Sequence, residues 1–104
     1  MQVKAADGIR KPTEFEKIAL NVTSLLEKKN SDYGGSYDLL REEYGPESFL
    51  IRLADKYHRL KKLVRSVGNP KVDESIEDTL KDIIGYCILE IRYRNRERKA
   101  DEVR

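Results

Sequence analysis

A single cysteine, Cys87, excludes an internal disulfide and any zinc site built on a cysteine cluster. The only histidine, His58, has no histidine or cysteine at ligand spacing, which argues against zinc and leaves no Ser-His-Asp or Cys-His arrangement to read. No run of about 18 apolar residues is present, so no membrane span is predicted, and no export signal is recognised. A cytoplasmic protein is therefore expected. Net charge is only +2, too little to imply nucleic acid or an acidic membrane as a partner. Neither a strand pattern nor an internal repeat is visible.

What the chain does have is charge and helical periodicity. Charged and hydrophobic residues each make up 38% of the 104 residues, which suits thin amphipathic helices. Such helices bury more when two chains pool their faces, so a homo-oligomer, dimer or tetramer, is expected. Residues 1–12 read as a loose leader. Thr13-Glu-Phe-Glu16 is a capping box, and the helix behind it carries Phe15, Ile18, Ala19, Val22, Leu25 and Leu26 on one face as far as about Lys29. The segment Asn30–Gly35 breaks it, and Ser36–Glu43 forms a short helix. Pro46 opens a third helix to about Ser66, burying Phe49, Leu53, Tyr57, Leu60 and Val64. Gly68-Asn69-Pro70 closes it. Asp73 caps the last long helix, whose main stripe is Ile76, Leu80, Ile83, Ile84, Cys87 and Ile91. The expected fold is all-α: three long helices plus a short one in a small bundle completed by oligomerisation. Residues 13–91 form its domain and 92–104 a charged helix end.

Both last helices carry a second, semi-apolar face. On the fourth it holds Asp78, Asp82, Gly85 and Leu89 with Tyr86 alongside; on the third it holds Ile51, Ala54, Asp55 and His58. Glu74, Asp78 and Asp82 form one column at four-residue spacing, where like charges repel unless a cation compensates. That cation is either a metal such as Mg²⁺, which takes oxygen ligands, or the Lys and Arg side chains of a neighbouring helix. Glu74 and Glu77 also suit the helix dipole of a first turn, whereas Asp55 and Asp82 are mid-helix residues with poor helix propensity. Asp55, Asp78 and Asp82 are the leading metal candidates. Lys56 and Arg59 are candidate phosphate contacts, or partners for neighbouring acids. Lys29, Asp32 and Tyr33 beside Gly34 form a second patch, in which the turn suits an anion and Tyr33 a base. The basic run Arg92–Lys99 suits a solvated helix end better than nucleic acid.

Three blocks carry a resemblance: Lys28-Lys-Asn-Ser-Asp-Tyr-Gly34, Arg52-Leu-Ala-Asp-Lys56 with Arg59, and Glu74-Ser-Ile-Glu-Asp-Thr-Leu-Lys-Asp-Ile-Ile-Gly-Tyr86. Over roughly residues 15–91 the chain resembles the nucleotide modification associated domain 1 family. That family looks like an offshoot of the all-α, MazG-like nucleoside triphosphate pyrophosphohydrolases. The resemblance, to a family of phages and bacteria, implies a Mg²⁺-dependent enzyme, Mn²⁺ being an alternative, that cleaves a (deoxy)nucleoside triphosphate to monophosphate and pyrophosphate and adjusts the nucleotide pool of a bacterium or phage-infected host. Asp55 and Asp82 would be catalytic. Asp55, Glu74, Asp78 and Asp82 would hold the metal, while Lys29, Asp32, Tyr33, Lys56, Arg59 and Tyr86 would contact the nucleotide. One departure stands out. MazG-like enzymes carry Glu-Glu-x-x-Glu on the first metal helix, where this chain offers only Asp55, with Lys56 and Arg59 nearby. The rival expectation is a protein that binds and sequesters a nucleotide or cyclic nucleotide without cleaving it.

Overall fold

The capping box forms as read. In a computed structural model describing residues 2–5, 8–32, 35–66, 68 and 70–103, the Glu16 amide donates to Thr13 Oγ1 at 3.2 Å. The Thr13 amide in turn donates to Glu16 Oε1 at 3.0 Å. It starts helix α1, Glu14–Asp32, which runs a little beyond Lys29. Helix α2 spans Ser36–Tyr44 and α3 spans Glu47–Val64, with Pro46 at the entry of α3. Between them Gly45 has φ 76°, a left-handed value that favours glycine, and its amide donates to Arg41 O.

Two boundaries differ from expectation. Pro70 does not close a helix but begins one: α4 runs Pro70–Val103, and Asp73 lies in its first turn rather than at its cap. Proline suits that position because the first helical amides have no intrahelical acceptor anyway. The N-terminal residues are not merely loose either. Strands β1, Val3–Ala5, and β2, Gly8–Arg10, pair antiparallel with Val3 opposite Arg10. Three-residue strands are too short for alternation to reveal them. Arg10 ties this hairpin to α1 through a salt bridge to Glu16 at 2.5 Å, which holds the Glu16 carboxyl down at about 2. The protein is all-α apart from this hairpin, and none of its described helices is long and apolar enough to cross a membrane.

α4 is the central post, and α1, α2 and α3 all pack against it. The face that it gives them corrects the sequence reading. Gly85 and Leu89, assigned to the second face, are buried, whereas Leu80, Ile84 and Ile91 of the main stripe are exposed. On α1, likewise, Val22 is buried while Phe15 and Ile18 lie open, and on α3 Tyr57 and Val64 are exposed beside half-buried Phe49, Leu53 and Leu60. Among the described residues the buried hydrophobic side chains are correspondingly few: Val22, Tyr37 and Leu89.

The arginine-rich end of α4 is not solvated throughout. Glu90 is buried, and its Oε1 accepts from Tyr37 Oη at 2.7 Å and from Arg41 Nε at 2.9 Å. Arg94 Nε donates to Glu90 Oε2 at 2.6 Å. Tyr93 donates to Glu42 at 2.7 Å, and Arg96 reaches Asp38 at 3.2 Å. Helix α2 is thereby clamped to α4 well past Ile91.

Candidate functional site

Four helices converge on one cleft of about 290 Å³. α1 contributes Val22, Leu25, Leu26, Lys29 and Asn30, a single face at three- and four-residue steps. α2 contributes Ser36 and Tyr37 from its first turn, and α3 contributes Arg52 and Lys56 one turn apart. α4 closes the cleft with Lys81, Asp82, Gly85, Tyr86 and Leu89. Gly85 faces the Leu26 side chain where α1 meets α4. A Cβ there would sit 3.5 Å from Leu26 Cδ1, in ordinary contact, and would narrow the cleft by a methyl group.

The polar lining is strongly unbalanced. Among the described residues, four cationic side chains, Lys29, Arg52, Lys56 and Lys81, line the cleft together with one carboxylate, that of Asp82. Each Asp82 oxygen takes one lysine: Oδ1 lies 3.3 Å from Lys29 Nζ, and Oδ2 3.3 Å from Lys56 Nζ. The Asp82 side chain is 29% exposed, so water reaches these pairs and weakens them. Arg52 stands over two aromatic rings, its guanidinium carbon 5.7 Å from the Tyr37 centroid and 5.5 Å from that of Tyr86. Those rings lie 6.3 Å apart and nearly parallel, at 28°. Burial and the hydrogen bond to Glu90 push the Tyr37 hydroxyl well above the usual tyrosine range, so it stays a donor at neutral pH.

A match to the family model described as nucleotide modification associated domain 1 covers residues 29–91. The chain belongs to that family. No curated protein and no solved structure matches it. The matched segment of the nucleotide modification associated domain 1 contains Lys29, Arg52, Lys56, Lys81, Asp82 and Tyr86, so every charged side chain lining the cleft lies within it.

Of the residues singled out in the sequence, Lys29, Lys56, Asp82 and Tyr86 meet here. Asp55, Arg59, Glu74 and Asp78 do not line the cleft and are exposed, as is Asp32 at the end of α1. Tyr33 lies outside the described residues. The column Glu74–Asp78–Asp82 is real as helical spacing, but only its last member turns into the cleft, and its compensating cations are lysines. Among the described residues no group of three His, Cys, Asp or Glu side chains could hold a metal ion. Sequence reasoning did not select Arg52, Lys81, Asn30, Ser36 or Tyr37. The four-residue step from Arg52 to Lys56 was the available signal for the first. For Tyr37 and Lys81 no local pattern distinguishes them from ordinary packing and surface residues.

Proposed function

We propose that this cleft binds a nucleotide through its phosphates without a resident metal. The carrying observation is a cleft lined by four cationic side chains, two of which, Lys29 and Lys56, meet on the partly solvated Asp82 carboxylate. In the free protein Asp82 holds Lys29 and Lys56 in place. A phosphate entering the cleft takes over those lysines, and Arg52 and Lys81 add further donors. The apolar wall of Leu25, Leu26 and Leu89, with the Tyr86 ring, offers the base a surface on which to stack. The family's description, which concerns nucleotides, supports the ligand class.

Mg²⁺-dependent release of pyrophosphate, the reaction implied by MazG-like enzymes, asks for converging carboxylates. The donor set here does not fit that requirement, because among the described residues Asp82 is the one carboxylate in the cleft and is already shared by two lysines. Binding and sequestration are what this geometry supports, and no hydrolytic step is derived from it.

Calorimetric titration with nucleoside mono-, di- and triphosphates and cyclic nucleotides tests the reading, each run with and without a chelator. Saturable binding that survives chelation, and falls about tenfold or more in Lys56→Ala, is the expected result. Affinity that disappears on chelation overturns it. So does chromatographic detection of monophosphate and pyrophosphate after incubation with Mg²⁺.

A further inference from the structure

α4 is apolar on two sides, and the chain uses one of them. Gly85 and Leu89 point into the bundle. Roughly opposite around the helix, at about 100° per residue, Leu80, Ile84 and Ile91 are 44, 39 and 58% exposed, and Ile88 on the flank is 37% exposed. Leu80, Ile84, half-buried Cys87 and Ile91 recur at steps of four, three and four, the spacing of a two-helix seam. A helix that is apolar all round belongs in an interior.

The chain as a whole is also too open for its mass. Its accessible surface is 8294 Å², whereas a folded monomer of this size exposes about 6,000 Å². Its radius of gyration is 16.7 Å, against about 13 Å for a compact domain of this length. The surplus, on the order of 2,300 Å², is more than the ~800 Å² that each partner gives to a standard interface.

Charge says what covers the stripe. Continuing the seam backward along α4 meets Glu77 and Asp73, and continuing it forward meets Arg94 and Arg98. All four are exposed. Among the described residues Glu77 pairs only with Lys81, at 4.0 Å, and Arg94 keeps 62% of its side chain open while touching Glu90. One end of the seam is therefore acidic and the other basic. That surface is complementary to itself turned end for end.

We infer that a second copy of this chain covers this face, with the two α4 helices antiparallel about a twofold axis near Gly85 and Tyr86. In that register Leu80 meets the partner subunit's Ile91, and Ile84 meets the partner subunit's Cys87. Glu77 meets the partner subunit's Arg94, and Asp73 the partner subunit's Arg98. The contact is isologous, so each pairing occurs twice and the assembly closes. A parallel arrangement would set Glu77 against Glu77 and Arg94 against Arg94, where like charges repel. The cleft lies on the opposite side of α4 and stays open.

Light scattering of the full chain, combined with cysteine cross-linking, tests this. The unmodified chain is expected at twice its 12.1 kDa mass, and Ile84→Glu at the mass of one chain with its helical circular dichroism retained. In a Cys87→Ser background, Leu80→Cys combined with Ile91→Cys should oxidise to a covalent dimer, while either cysteine alone should not. Within one helix those two positions are about 16 Å apart, too far for an internal bond. A one-chain mass for the unmodified protein overturns the proposal and assigns the face to a different partner. A dimer that persists in Ile84→Glu, or single-cysteine variants that cross-link to themselves, overturns the face or its direction. Should Ile84→Glu unfold, the cross-linking pattern still decides.

Discussion

Asp82 and Glu90 are two carboxylates on one helix, two turns apart, and both are held by cations from other helices. Their surroundings differ. Glu90 is 6% exposed and meets Arg41, Arg94 and the Tyr37 hydroxyl, while Asp82 is 29% exposed and meets two lysine ammonium groups at 3.3 Å. Burial alone would raise the Glu90 carboxyl, but hydrogen bonds from Arg41, Tyr37 and Arg94 outweigh it and hold it down at about 2. A guanidinium donates through a rigid fork, whereas an ammonium is a mobile point charge. The first arrangement is a permanent joint between α2 and α4. The second is a contact that an incoming anion can replace.

Substitution should separate the two roles. Glu90→Gln leaves half-buried Arg41 without its counter-charge and should cost about 3 kcal/mol. That corresponds to a fall in melting temperature on the order of 15 °C. A melting temperature within a few degrees of the parent would show that the joint contributes little.

Acid sharpens the same contrast. Because the folded Glu90 carboxyl titrates near 2, below its unfolded value, its stabilisation is present above the unfolded pKa of about 4.5. It is lost as pH falls from there towards 2. Denaturant titrations across that window should show the parent losing stability that Glu90→Gln never had, so the two converge in acid. Parallel curves would assign the acid sensitivity to other carboxylates.

Asp82→Asn should behave differently. Its stability change should stay within about 1 kcal/mol. Nucleotide affinity should rise, because Lys29 and Lys56 lose their internal competitor. A site in which Asp82 held a metal would show the opposite sign, and titration of the variant distinguishes them. The smallest effect is expected at Gly85. Ala at that position should add up to about 1 kcal/mol of helix stability, while the added methyl lowers affinity by narrowing the cleft. A rise in both quantities would place the ligand away from the α1–α4 crossing.

Much of the framework was legible in advance. The Thr13–Glu16 box, the break before Ser36 and the Gly45-Pro46 junction are local signals, set by backbone groups within about four residues of one another. Pro70 misled because the same residue that ends one helix can begin the next, and only the residues after it decide which. The cleft was half legible. Lys29, Lys56, Asp82 and Tyr86 were marked by charge and helical face, yet Asp55, Glu74 and Asp78 carried the same marks and stand outside it.

The sequence by itself determined four helices, the Thr13–Glu16 box that starts the first, and the presence of two apolar faces on α4, because helical period and such a box depend only on near neighbours in the chain. Tertiary structure decided which face of α4 the other helices cover, and with it which carboxylate meets the lysines. Periodicity ranks the two faces by hydrophobicity alone. The connections between helices and the Glu90 joint fix where α1, α2 and α3 land, and they land on the face bearing Gly85, beside which the Leu26 side chain packs.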